Sequence, residues 1–281
     1  MTALDRAEKL TELSSIAELA VHHAAAVARL EELLDDPDVE VRGEAAAAVG
    51  SYPGERALVE RVLRLAREDP ESEVRRKAVS ALERVLRDGD LAGAEGAGYA
   101  PELEQGEPSP ELYQQVKALL FDLLDRADRP EPERRQALEA LACLSQDPRV
   151  IAGIEELARS EDRGERALAL RCMGKSGDRR WADAVSEGLE DDGEALLRAV
   201  RAAGEIELVA SVPLLARILR STRQSTTLRV EAAQALACLG GENVVPELLE
   251  LADDADTEEE VREAAQRALS ELSLLEEGAA Q

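Results

Sequence analysis

The two histidines of the chain, His22 and His23, are the residues best suited to metal binding or proton transfer. Adjacent residues on a helix point about 100° apart, so the pair cannot hold one metal ion together. Glu18 precedes His22 by four residues and would share its helix face, but two ligands without a third make an incomplete site. We therefore expect a surface or packing role for both histidines and no metal site.

Three cysteines, Cys143, Cys172 and Cys238, could act as nucleophiles, and each lies in an alanine- and leucine-rich stretch. This setting is typical of reduced, buried thiols that pack as small hydrophobic groups. The sequence suggests no histidine partner for any serine or cysteine, and it lacks the Lys-Ser/Thr ending of a phosphate-binding loop. We therefore predict no enzymatic activity and no cofactor.

Seven positions recur at intervals of about 30 to 33 residues, apart from one longer step that contains an insertion, and six of them are arginine. We call them the repeat arginines: Arg42, Arg75, Arg134, Arg166, Arg229 and Arg262. Leu196 occupies the position where a further one is expected. Such a row could bind anions, but an arginine also buries its aliphatic stem and pairs with carboxylates through both nitrogens. Acidic turn residues such as Asp36, Asp38 and Glu40, or their equivalents in the next repeat, would be its partners. We interpret the row as a structural ladder between repeats.

The residues around each repeat arginine predict a pair of antiparallel helices. Three residues after each of the seven positions lies an alanine, from Ala45 to Ala265, and an apolar helix precedes each acidic turn. Neither helix can bury its apolar stripe alone, so the repeats must stack. The sequence therefore predicts an all-α, right-handed α-solenoid of about seven two-helix repeats. The glycines eight residues past the repeat position (Gly50, Gly174 and Gly204) are expected at helix ends, with positive φ, like Gly177 and Gly240.

The stretches "DDPDVEVRGEAAAAVG", "ESEVRRKAVSAL", "ERALALRCMGKSGD" and "LRVEAAQALACLGG" resemble HEAT repeats, particularly the bacterial type related to phycobiliprotein lyases. The resemblance covers roughly residues 23–275, with departures at Leu196 and at Glu83, which replaces the glycine seen at Gly50. It implies an α-solenoid that acts as a protein-interaction scaffold or adaptor. An accessory enzyme similar to a phycobiliprotein lyase is the alternative.

Composition restricts the core and the partners. Hydrophobic residues make up 44% of the chain but aromatic residues only 2%, which favours close helix packing by leucine, alanine and valine. The net charge of −26 repels nucleic acid and anionic membranes. The charged start, "MTALDRAEKLTEL", lacks the apolar run of a signal peptide, so we expect a cytoplasmic protein that contacts no membrane. The type of repeat that the chain resembles implies a bacterial protein, and we expect it to be a monomer.

The repeats divide the chain into predicted regions. A helical cap (1–22) precedes repeats 1 and 2 (23–87), a loop rich in Gly, Pro and acidic residues (88–109) follows, and repeats 3 to 7 (110–275) end in a frayed tail (276–281). We expect these regions to form a single solenoid.

Two features depart from the repeat pattern and are candidate binding sites. The insertion 87–110 is interpreted first as a neutral surface loop, because long loops cost little. The alternative is a partner-binding arm anchored by Tyr99 and Leu103. The basic island, residues 163–181, holds six basic residues against two acidic ones. Together with two arginines of the next repeat, the basic island provides the predicted contacts for a protein partner on the concave face around repeats 3 to 6. These contact residues are Arg171, Lys175, Arg179, Arg180, Trp181, Arg198 and Arg201. In the alternative interpretation, these cations neutralise surrounding acidic residues and Trp181 packs between helices. Nucleic-acid binding by the basic island is a second alternative.

Overall fold

The computed structural model describes residues 5–19, 23–91, 107–241, 244–254 and 256–279. Regular structure in these ranges consists of fifteen α-helices and three short 3-10 segments, without a strand. The all-α prediction is confirmed. None of the helices in the described ranges combines the length and the apolar character needed to cross a bilayer.

The chain forms two compact units, and the first spans Met1–Cys143. Its helices are α1 (Arg6–Leu19), α2 (His23–Leu33), α3 (Val39–Ala48), α4 (Arg56–Glu68), α5 (Ser72–Leu91), α6 (Pro110–Asp125) and α7 (Glu131–Leu141). The second helices of the repeats stack in the order α3, α5, α7, and α1 packs against α3 on the open side. The predicted cap therefore occupies the place of a preceding second helix.

The second unit spans Leu144–Gln281. Its helices are α8 (Pro148–Ala158), α9 (Arg163–Ser176), α10 (Ala182–Gly188), α11 (Gly193–Glu205), α12 (Val212–Arg220), α13 (Thr226–Leu239), α14 (Val245–Asp253) and α15 (Glu259–Ala279). The second helices α9, α11, α13 and α15 again stack side by side. Together the units contain the seven helix pairs that the sequence predicts, and the fold class is the α-solenoid.

Side-chain caps explain where several helices begin. The Asp38 carboxylate accepts hydrogen bonds from the backbone N–H groups of Glu40 and Val41 at the start of α3. Ser109 accepts from the N–H of Leu112, and Pro110 follows in the first turn of α6. These groups satisfy N–H donors that have no partner inside the helix.

The glycine interpretation is correct at Gly177 and Gly240, which have φ of 60° at helix ends. Gly174 and Gly204 lie in the last turns of α9 and α11, and Gly50 lies in the 3-10 segment after α3, so their place near a helix end is correct, but the expected positive φ is wrong at all three. A Cβ atom on Gly174 would lie 3.0 Å from the Cα of Ala202 in α11. The glycines inside the helices are therefore required because neighbouring second helices approach closely, and not because the chain turns there.

The structure also differs from the predicted limits of the insertion and the tail. Helix α5 continues to Leu91, and Gly89 lies so close to Tyr113 of α6 that a Cβ atom would be 2.5 Å from the ring. Contact with this ring explains why the helix extends past the expected boundary. Tyr99 and Leu103 lie outside the described residues. Helix α15 reaches Ala279 and so includes most of the stretch expected to fray.

Candidate functional site

All six repeat arginines donate to backbone carbonyls at the end of the first helix of their own repeat or in the turn that follows it. Arg42 Nη1 donates to the Asp36 carbonyl over 2.7 Å. Arg75 Nη1 donates to the Asp69 carbonyl over 2.6 Å. The other four donate to the carbonyls of Leu124 (Arg134), Ser160 and Glu161 (Arg166), Leu219 (Arg229) and Thr257 (Arg262). Since the last carbonyls of a helix lack partners and carry partial negative charge, a guanidinium group stabilises this end.

Arg42 also connects its repeat to the next one. Its Nε donates to Asp69 Oδ2 over 2.6 Å and its Nη2 donates to Asp69 Oδ1 over 3.2 Å. Asp69 follows α4 and is only 6% exposed, so this bidentate pair is shielded from water. Lys9 of α1 makes the corresponding contact with Asp36, over 2.6 Å. The cap is therefore joined to the first repeat by the same type of ion pair.

Arg75 pairs with a buried acid that the sequence analysis did not identify. Its Nε donates to Glu133 Oε1 over 3.0 Å, and Ser72 Oγ donates to the same oxygen over 2.9 Å. Glu133 is 1% exposed and precedes Arg134 directly, in the position that Val41 and Val74 hold before their arginines. An acid at an apolar position opposite a repeat arginine is the signal that could have revealed this pair.

In the second unit, Arg229 is a repeat arginine that also pairs with an acid of the next repeat. This side chain is 2% exposed in α13, and its Nη1 lies 3.4 Å from Glu258 Oε2 in the turn before α15. The repeat arginines thus hold the end of the first helix or the turn after it, and Arg42, Arg75 and Arg229 also pair with an acid of the following repeat.

Three buried carboxyl groups of the first unit have lowered pKa values: Asp36, Asp69 and Glu133. Burial by itself raises the pKa of each group because it disfavours the charged form. Hydrogen bonds from the paired cation, together with a backbone N–H or a hydroxyl group, lower the pKa by more than burial raises it. All three groups are therefore ionised partners in the folded chain.

We expect the first unit to lose stability in acid. Because these pKa values are lower in the folded than in the unfolded chain, the pairs stabilise the fold above the ordinary values of 3.8 and 4.5 and lose this effect as the pH falls through the lower, folded values. Urea unfolding followed by circular dichroism should give a smaller free energy of unfolding at about pH 3 than at about pH 6. The Glu133→Gln variant should show a weaker dependence. Equal slopes for variant and wild type would contradict the assignment.

Three of the six cations of the basic island, and both arginines of the next repeat, lie against carboxylates. Arg163 Nη1 lies 3.0 Å from Asp192 Oδ1, and Arg201 Nε donates to Glu231 Oε2 over 3.0 Å. Further ion pairs join Arg179 to Glu207, Arg180 to Asp178 and Arg198 to Glu194. The Arg201–Glu231 pair raises the pKa of this guanidinium, chiefly through the hydrogen bond. The island is a mosaic of paired charges, which weakens the nucleic-acid alternative because a phosphate would have to displace a carboxylate.

The predicted contact residues fall into two places. Arg171 and Lys175 lie on α9, and Arg198 and Arg201 lie on the adjacent second helix, α11. In contrast, the 3-10 segment Arg179–Trp181 precedes α10, and Trp181 is only 8% exposed. A buried indole is used in packing, so Trp181 does not offer a surface contact.

The thiols and histidines provide little for catalysis. The three cysteines are free: Cys172 is buried and Cys143 is partly buried, whereas Cys238 is exposed near the end of α13. The expectation of a buried thiol is wrong at Cys238, which lies on the side of the second helix that no other helix covers. Partial burial, with Glu271 and Glu205, raises the pKa of Cys238, which disfavours the reactive thiolate.

Among the side chains that the structure describes, no group of three or more His, Cys, Asp and Glu residues could hold a metal ion. His22 and the side chain of His23 lie outside them.

Stacked helix pairs joined through repeat arginines define an α-solenoid repeat protein. The family description "HEAT repeats" matches residues 3–90 and 191–270. The chain belongs to the HEAT-repeat family, as the sequence predicted. The comparison with curated proteins gave no match.

Solved structures show the same fold. The complex of CpcE and CpcF of phycocyanin lyase from Nostoc sp. PCC7120 contains a chain that is 18% identical, with a TM-score of 0.55 and 86% of each chain covered. An importin-β structure is 16% identical, with a TM-score of 0.53, over 92% of this chain and 39% of the importin chain. Yeast importin-β (Kap95p) is 14% identical, with a TM-score of 0.53, over 96% of this chain and 39% of its own.

Proposed function

We propose that the protein is a non-enzymatic scaffold that binds a protein partner across the second helices of its second unit. The observation that carries this proposal is the close stacking of α9, α11 and α13. A Cβ atom on Gly174 would lie 3.0 Å from the Cα of Ala202, and one on Gly204 would lie 2.9 Å from the Cα of Ala235. Because the backbones approach this closely, the side chains on the uncovered faces of the three helices belong to one continuous surface.

The side chains on this surface suit protein recognition. Arg171 and Arg201 occupy equivalent positions, five residues past the repeat position, on adjacent helices. Arginine is enriched at the centres of protein interfaces, where its planar group and its aliphatic stem both make contacts. Membership of the HEAT-repeat family supports the proposal, as does the fold shared with CpcE and CpcF, which form a complex. The acidic composition and the free thiols support a cytoplasmic location.

Charge reversal on this surface tests the proposal. Partners captured from the source cells by the immobilised wild-type chain should be reduced at least tenfold by Arg171→Glu with Arg201→Glu, because interfaces reject like charges placed opposite one another. The matched control is Arg217→Glu with Arg223→Glu, which reverses two exposed arginines in and after α12, a first helix. Quantitative mass spectrometry measures the captured proteins. Equal capture by both double variants would refute the proposed surface.

The alternative of an accessory enzyme has its own test. Co-expression with a phycobiliprotein and its bilin pigment should leave the visible absorption of the pigment protein unchanged when this chain is added. Covalent pigment attachment that depends on this chain would overturn the non-enzymatic part of the proposal while leaving partner binding open to the capture experiment.

A further inference from the structure

A cleft of about 350 Å³ opens in the second unit between α8 and α10, above α9. Its floor includes the apolar side chains of Leu170 and Met173 from α9. Its rim carries the carboxylates of Glu187, Glu190 and Asp191, at the end of α10 and in the turn that follows. The cleft therefore combines an apolar base with an acidic edge.

The three rim carboxylates are exposed and unpaired. Within the described part of the chain, Glu187, Glu190 and Asp191 form no ion pair and no side-chain hydrogen bond. The acids beside the basic island behave differently, since Asp178, Glu194 and Glu231 each meet an arginine. Unpaired carboxylates above an apolar floor leave the cleft with an electrostatic preference for cations.

The corresponding place in the first unit is a smaller cleft of about 200 Å³, and its lining includes two arginines, Arg61 and Arg64. There Arg42 forms its bidentate pair with Asp69, and Arg61 Nη2 donates to Asp35 over 2.8 Å. Asp69 precedes the repeat position Arg75 by six residues, just as Glu190 precedes the repeat position Leu196.

In the second unit the equivalent contact is missing. Arg166, the counterpart of Arg42, directs Nη1 to the carbonyls of Ser160 and Glu161, over 3.0 and 2.9 Å, and does not reach Glu190. Glu190 keeps its position in the repeat, but Arg166 does not pair with it, so this carboxylate lacks the guanidinium partner that Asp69 has between the first two repeats.

We infer that this cleft binds an arginine side chain of the protein partner. The aliphatic stem would lie on Leu170 and Met173, and the planar guanidinium would donate to the rim carboxylates. Three carboxylates against Arg166 alone leave the lining net negative, which excludes an anion as the occupant. The inference rests on the proposed scaffold function and specifies one contact of the partner, at a place separate from the Arg171 and Arg201 surface.

Met173 provides a direct probe of the cleft, because the chain has only two methionines. With 13C-methyl-methionine labelling of the full chain, titration with N-acetyl-arginine amide should shift the Met173 signal in a saturable way. N-acetyl-citrulline amide, which has nearly the same shape without the charge, should produce no saturable shift. Equal effects of the two amides, or no shift with either, would overturn the inference, and binding of N-acetyl-lysine amide as tight as that of the arginine amide would overturn its specificity.

Neutralising the rim completes the test. Glu187→Gln, Glu190→Gln and Asp191→Asn together should weaken arginine-amide binding at least tenfold. The control changes three exposed acids that do not line the cleft: Glu156→Gln, Glu161→Gln and Asp183→Asn. Unchanged binding by the rim variant would place the amide elsewhere and refute the cleft. The scaffold proposal predicts that partner capture depends on Arg171 and Arg201. Capture that persists without arginine binding to the cleft would therefore refute the cleft and leave the scaffold proposal intact. Arginine binding to the cleft without any captured partner would count against the scaffold proposal alone.

Discussion

Replacing Arg75 with leucine is expected to lower the free energy of unfolding by about 3 kcal/mol, because it removes the guanidinium that donates to a buried carboxylate. The side chain of Arg75 is 13% exposed and that of Glu133 is 2% exposed, so water solvates the remaining charge poorly. Ser72 would still donate to Glu133 Oε1, and Arg129 Nη1 lies 3.6 Å from Glu133 Oε2, but neither group replaces the short hydrogen bonds from Arg75. Urea unfolding monitored by circular dichroism measures the loss.

A double variant separates the pair from the packing around it. Glu133 holds a position that is valine in three other repeats, at Val41, Val74 and Val261. Arg75→Leu combined with Glu133→Val should therefore recover most of the stability, since an apolar pair of similar volume often replaces a buried ion pair without loss. A double variant no more stable than Arg75→Leu would show that the charge of Glu133 is not the cause.

An exposed ion pair is the matched control for Arg75→Leu. The side chains of Arg163 and Asp192 are 77% and 80% exposed, so Arg163→Leu should change the free energy of unfolding by less than about 1 kcal/mol. A loss as large as that of Arg75→Leu would mean that burial does not decide the strength of these pairs.

The periodicity of the sequence predicted the helix pairs because each apolar stripe has the helical period and each turn repeats its chemistry. The role of the repeat arginines could be predicted only in part. A sequence shows acidic neighbours such as Asp69, but the carbonyl that accepts from Arg42 belongs to the backbone of Asp36, and every residue has a carbonyl. The sequence therefore gives no sign of which backbone carbonyl will accept a hydrogen bond from a repeat arginine.

The basic island shows a second limit of the sequence. Residues 163–181 carry an excess of cations, but acids from beyond that stretch lie against two of them. Asp192 pairs with Arg163 and Glu207 pairs with Arg179, and both acids belong to the following repeat. In a solenoid the neighbours of a side chain lie one repeat away in sequence, so local charge is a poor guide to surface potential.

The same geometry predicts a large effect at Gly204. A Cβ atom there would lie 2.9 Å from the Cα and 3.2 Å from the Cβ of Ala235, so Gly204→Ala forces α11 and α13 apart. Overpacking of this kind costs about 1 to 3 kcal/mol, and the higher helix propensity of alanine offsets up to about 1 kcal/mol of it. We therefore expect a net loss of about 1 to 2 kcal/mol. Trp181, the only tryptophan, is buried in the same unit, and its fluorescence in urea measures the change.

Gly50 provides the matched control, because it holds the same position in its repeat but has more room. A Cβ atom on Gly50 would lie 3.6 Å from the Cα of Ala81, an ordinary contact, so Gly50→Ala should change stability by less than about 0.5 kcal/mol. Because the atom nearest to Gly204 is a backbone Cα, Ala235→Gly cannot relieve the clash and should not rescue Gly204→Ala. Equal effects of the two alanine variants, or rescue by Ala235→Gly, would mean that the backbones of α11 and α13 do not determine how closely the second helices stack.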